Sequence, residues 1–254
     1  MTTVAAPVTP PVPWTRSVHV ELRKSLDTRA GRWLMLVMSG LSLLVALVLV
    51  VWGTREELTL QTFVSMMSLP LLMLLPIVGI MAATQEWSQR TGLVTFTLEP
   101  RRGRVVAAKL VASLLLGLAV IIVSGLVAAA FHAGVVALGS APGDWSMDGA
   151  ATLGLVVTLL MFVLQGVGFG LALLSTPVAI VASLVLPTVW TIASALVPRV
   201  ESAAVWLDLN RVTAPLMEGA MTGEDWAHLG TSALVWIGLP IAIGTWRVLR
   251  SEVK

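Results

Sequence analysis

The chain has 254 residues, 57% of them hydrophobic and only 12% charged, with a net charge of +2 and no cysteine. A soluble domain carries roughly 25% charged residues, and half that density cannot coat a water-facing surface of this size, so the composition excludes an ordinary soluble domain. Without cysteine there is no disulfide framework, thiolate zinc site or cysteine nucleophile.

Residues 1–13 are rich in Pro and Thr, have no apolar period and read as a disordered tail. From Trp14 the pattern changes. Trp14, Val18, Leu22 and Leu26 recur every four residues, while Arg16, Arg23, Lys24 and Arg29 lie off that stripe. This spacing predicts an amphipathic interfacial helix over residues 14–32. Apolar stretches then predict six transmembrane helices, at about 33–53, 63–83, 105–139, 150–175, 177–197 and 229–247, in an all-α integral membrane fold (residues 33–254). A span needs roughly 20 apolar residues. The block 150–197 is too long for one span, and Ser175-Thr176-Pro177 supplies the break between two, since Pro lacks the helical donor. The third stretch exceeds a straight span and has to tilt or project. Before the sixth span, Val205, Trp206, Leu209, Val212, Leu216 and Met217 are spaced for short external amphipathic helices, with Pro215 as their breaker.

Charge sets the orientation. With six spans, the N-terminal segment, the loop between spans two and three and the C-terminal tail share one side. They hold thirteen Lys and Arg residues, against Arg55, Arg199 and Arg211 on the other. Short loops rich in Lys and Arg stay inside, so both termini are expected in the cytoplasm of a bacterial-type plasma membrane. The basic pI is then membrane topology, and no nucleic-acid partner is expected.

The cytoplasmic loop Thr84–Lys109 is the most informative segment. Glu86 and Arg90 are spaced for a helical ion pair, Gly92 can end that helix, and Leu93–Leu98 is a compact apolar patch stopped by Pro100. Arg101, Arg102 and Arg104 follow at the expected headgroup level.

Much chemistry is missing. There is no phosphate-binding GxxxxGK[ST] loop and no metal-ligand spacing among His19, His132 and His228. Gly166, Gly168 and Gly170 lie within an apolar span with no strand before them, and Gly166 and Gly170 form a GxxxG pair suited to close helix packing. No ionisable residue is expected deep in the spans, which argues against an ion-coupled carrier. An enzyme and a nucleotide site are not expected in this chain.

Glu86, Thr91, the run Pro100-Arg101-Arg102-Gly103-Arg104 and Lys109 resemble the loop between spans two and three of ABC-2-type permeases, the membrane subunits of ABC exporters. The layout of residues 14–250 is similar too, although Arg90 stands where many members carry Gly. The resemblance implies a permease that pairs with a second permease subunit, alike or related, and docks on a separate nucleotide-binding ATPase, which would hold ATP and Mg. It implies ATPase coupling through Glu86, Arg90, Thr91, Pro100, Arg101, Arg102 and Arg104. It also implies a translocation path along spans two and five, at polar positions such as Ser65, Ser68, Thr188 and Thr191. The expected cargo is amphipathic or hydrophobic, a drug or a lipid among the possibilities. The alternative is a non-transporting membrane sensor or assembly partner.

Overall fold

The computed structural model describes residues 13–197, 199 and 201–250. The expected tail falls almost wholly outside them. Among the described residues there is no strand, and six helices are long and apolar enough to cross a membrane. The chain is an all-α, multi-pass membrane protein.

The elements follow one another closely. Helix α1 (Trp14–Asp27) is amphipathic, and Thr28 breaks it from α2 (Arg29–Trp52) by adopting an extended conformation and capping Gly31 N with its hydroxyl. The expected single helix over 14–32 is therefore two helices, the second being the first span. Next come α3 (Leu60–Ser88), the short α4 (Gly92–Leu98) and α5 (Arg102–Ala137). At 36 residues, α5 is about 54 Å long. Helix α6 (Gly149–Leu173) ends at Leu174, whose left-handed backbone (φ 53°) turns the chain. Helix α7 (Thr176–Leu196) starts at once, with Pro177 in its first turn, where no intrahelical donor is lost. Short helices α8 (Glu201–Leu207) and α9 (Leu209–Met217) follow. They separate at Asp208, whose carboxylate caps Asn210 and Arg211. Pro215 lies inside α9 and is not the breaker.

The last span runs from Gly223 to Arg250. It consists of α10 (Gly223–Ala233), a π-helical stretch over Leu234–Gly238 and α11 (Leu239–Arg250). Pro240 explains the irregularity: it has no N–H for the carbonyl one turn back, and the wider π turn re-routes the bonds around it.

Helix α6 is the centre of the bundle. Its most apolar stretch is 61% buried, against 11% for α7 and 17% for α2. Between lipid-facing helices there is no hydrophobic driving force, so small residues and close packing hold the contact. Gly166 and Gly170 do this against α3. A Cβ on Gly166 would strike the Pro76 carbonyl, and one on Gly170 would come within 2.7 Å of Ala83 Cβ. Gly79 of α3 answers from the other side, facing the Val163 carbonyl. Gly168 points the opposite way, against Pro240 and Ile241 of α11. The alternating glycines thus let α6 fit between two partners.

Candidate functional site

Two ends of the bundle differ in charge. The basic end gathers α1, the start of α2, the end of α3, α4, the start of α5 and the end of α11. At the opposite end His132 of α5 is fully buried, with its Nδ1 3.1 Å from the Leu58 carbonyl and its ring edge-on to Trp145.

The basic end is built on a buried quartet of charges. α1 lies across α5, packing Val18 and Leu22 on Ala108 and Ala112. That contact carries Glu21 inward beside Leu22. Lys109 projects from the second turn of α5 and meets Glu21 at 2.7 Å, the Glu86 carboxylate at 2.7 Å and the Ala82 carbonyl at 2.8 Å. All three ammonium donors are used. Lys24 closes the set, 2.7 Å from Glu21 and 3.1 Å from Glu86. Two acids and two amines make a neutral group, the condition under which buried charge is tolerated. Burial lowers the affinity of Lys24 for its proton, but Glu21 and Glu86 outweigh it and hold the pKa above the ordinary lysine value.

This corrects several expectations. Thr84–Lys109 is not one loop: α3 extends to Ser88 and α5 begins at Arg102, so Glu86 and Lys109 both sit inside spanning helices. Both are buried near one end of those helices and not deep in the spans. Arg90 does not pair with Glu86 along a helix. It adopts φ 56° after α3 has stopped, and Glu86 turns to Lys24 and Lys109. Gly92 opens α4 and ends nothing.

The remaining residues expected to couple frame α4. Phe96 of α4 packs edge-on against Trp87, and the Arg102 guanidinium lies 5.0 Å above its ring. Arg102 also donates to the Val248 carbonyl at 2.8 Å, fixing α5 to α11. Arg104 pairs with Glu99 at 3.3 Å, and Glu99 accepts from the Arg101 backbone N–H. Thr91 precedes α4, with its N–H bonded to the Glu86 carbonyl, and Pro100 follows α4. Leu93, Val94 and Leu98 stay exposed, Leu98 by 73%. A cleft of about 550 Å³ separates α4 from α1, with Val20, Lys24, Glu86, Val94 and Leu98 in its walls.

The expected path residues lie on two helices, Ser65 and Ser68 on α3 and Thr188 and Thr191 on α7. Ser68 donates to the Ser65 carbonyl, Thr188 to Leu184 and Thr191 to Pro187, each within its own helix. Ser65 accepts a long bond from Gln61. None of the four lines the α1–α4 cleft.

Glu21 and Lys24 were missed as site residues. The sequence carried a signal for each end of the quartet. Glu21 is an acid beside the apolar stripe of a mostly basic helix, and Lys109 is a single charge in the run Val105–Leu116.

No protein-family model, curated protein or solved structure matches the chain.

Proposed function

We propose that the chain is the permease subunit of an ATP-driven exporter, with both termini in the cytoplasm and the basic end as its docking face for a separate ATPase. The observation that carries this reading is the junction of α1, α3 and α5 at the Glu21–Lys24–Glu86–Lys109 quartet, directly beside an exposed α4. A motor pressing on α4 or α1 would act on elements bonded to two spanning helices. The chain's sequence offers no phosphate loop, so energy for transport would come from the partner. The thirteen-to-three division of basic residues supports the orientation.

The test is co-expression with a P-loop ATPase encoded beside this gene, followed by purification and reconstitution. The pair is expected to stay together, with ATP turnover that depends on the permease. Leu98→Glu and Arg101→Glu, both outside the quartet, are expected to abolish stimulation while the melting temperature holds. Stimulation unchanged in both variants would remove α4 as the coupling element. One observation favours the second reading, a sensor or assembly partner: the route hydroxyls of Ser68, Thr188 and Thr191 are all engaged within their own helices. A stable ATPase complex without ATP-dependent flux of any amphipathic dye would select it.

A further inference from the structure

Helices α2 and α5 both pack on α3 but hardly on each other. The gap between them is an apolar groove of about 300 Å³. Met35, Ser39 and Leu43 of α2 form one wall, Ala119 and Val123 of α5 the other, and Leu71 of α3 lies at the floor. Ser39, Leu43, Ala119 and Val123 are exposed, so the groove opens sideways to the surrounding bilayer. On α5 it runs from Leu116 to Val127, about 16 Å at helical rise. That is the depth of a single leaflet, half of a hydrocarbon core of about 30 Å. Leu26 of α1 closes the groove at the basic end.

Charge crowns that same end. Arg32 precedes Met35 by three residues and Ser39 by seven, which puts it on the groove face of α2. Arg29 lies one turn earlier, and the two arginines share a shallow recess with Trp33 and Leu36. Among the described residues neither arginine has an ion pair with an acid; Asp27, the nearest in sequence, pairs with Arg23.

We infer that the groove and the arginine pair together bind one anionic phospholipid from the leaflet at the basic end. The phosphate lies over Arg29 and Arg32, and one acyl chain fills the gap between α2 and α5. The depth of the groove selects a single chain, the arginines select a negative headgroup, and Trp33 sits at the interfacial level between them. The inference needs only that the helices span a bilayer, and it holds whether or not the chain serves an ATPase.

The test is native mass spectrometry of the purified full-length chain, titrated with dioleoyl phosphatidylglycerol or with dioleoyl phosphatidylcholine. One retained phosphatidylglycerol per chain is expected, at lower lipid concentration than phosphatidylcholine. Replacing both arginines (R29Q with R32Q) is expected to weaken phosphatidylglycerol retention by about fivefold per charge and to leave phosphatidylcholine unchanged. Ala119→Phe is expected to abolish retention of both lipids, whereas Leu184→Phe, on the exposed face of α7, leaves retention intact. Should Ala119→Phe lower the melting temperature, Val123→Phe on the same wall is read in its place. Equal retention of the two lipids by the unmodified chain overturns the headgroup assignment. Undiminished retention in the groove-filling variants overturns the groove. A lipid-free dimer cross-linked through Leu43 and Val123 shows a second copy to be the occupant and overturns both.

Discussion

Lys109 gives every donor it has to groups on α1 and α3, and without it two buried carboxylates, Glu21 and Glu86, would have to share Lys24. Removing one member of a buried ion pair costs about 3–5 kcal/mol, because the partner stays buried and charged. Lys109→Ala is therefore expected to cause a large loss of thermal stability, and Lys109→Met combined with Glu86→Gln to recover much of it. Lys24 is partly solvated and Lys109 still pairs with both acids when Lys24 is removed, so Lys24→Ala should cost less than Lys109→Ala. Melting curves in one detergent would rank the three variants. The sign of the pH effect follows from Lys24. Its folded-state pKa is raised above the ordinary 10.5, so its contribution is complete below the unfolded value and fades only as pH climbs through the folded one. Melting temperatures of the unmodified chain and of Lys24→Ala should therefore keep a constant separation from about pH 6 to 9. At this scale the sequence was only partly readable. The Glu86–Arg90 spacing suggested a local pair, but a helix can offer that pair only if it continues, and α3 stops at Ser88. The partners Glu86 takes are 62 and 23 residues away, and no local spacing encodes them.

Helices were more legible than their ends. Apolar runs long enough to span located all six spans, because a bilayer imposes a minimum apolar length on every one of them. Boundaries shifted where polar residues belonged to a helix that ran past the apolar run, as with Gln85 and Glu86, whereas the break expected at Ser175-Thr176-Pro177 lies beside Leu174, whose left-handed backbone ends α6. The π stretch before Pro240 was not foreseen, since proline signals a bend without saying which turn absorbs it. The GxxxG spacing of Gly166 and Gly170 suggested close packing but not the partner, which is α3 at the Pro76 carbonyl. Gly166→Ala places its methyl against backbone, which cannot swing aside as a side chain would. It should cost about 3 kcal/mol or more, whereas Gly125→Ala, with open space around it, should melt like the unmodified chain. Comparing those two variants tests whether the α3–α6 seam limits stability.

For the whole molecule, the sidedness of charge is the most checkable feature. The chain has no cysteine, so single cysteines can report topology without a background. In intact cells Glu99→Cys is expected to resist a membrane-impermeant maleimide until the membrane is opened, and Ser146→Cys to react at once. The reverse pattern would invert the proposed orientation. The overall plan also bears on how the protein is made. The most enclosed helix, α6, is the fourth span to leave the ribosome, after α2, α3 and α5. The Pro76 carbonyl and the small surface at Gly79 and Ala83 are therefore finished while the helix that fits them is still being translated. In the finished bundle α6 fills that surface, so the walls of the seam are synthesised before the helix that fits between them.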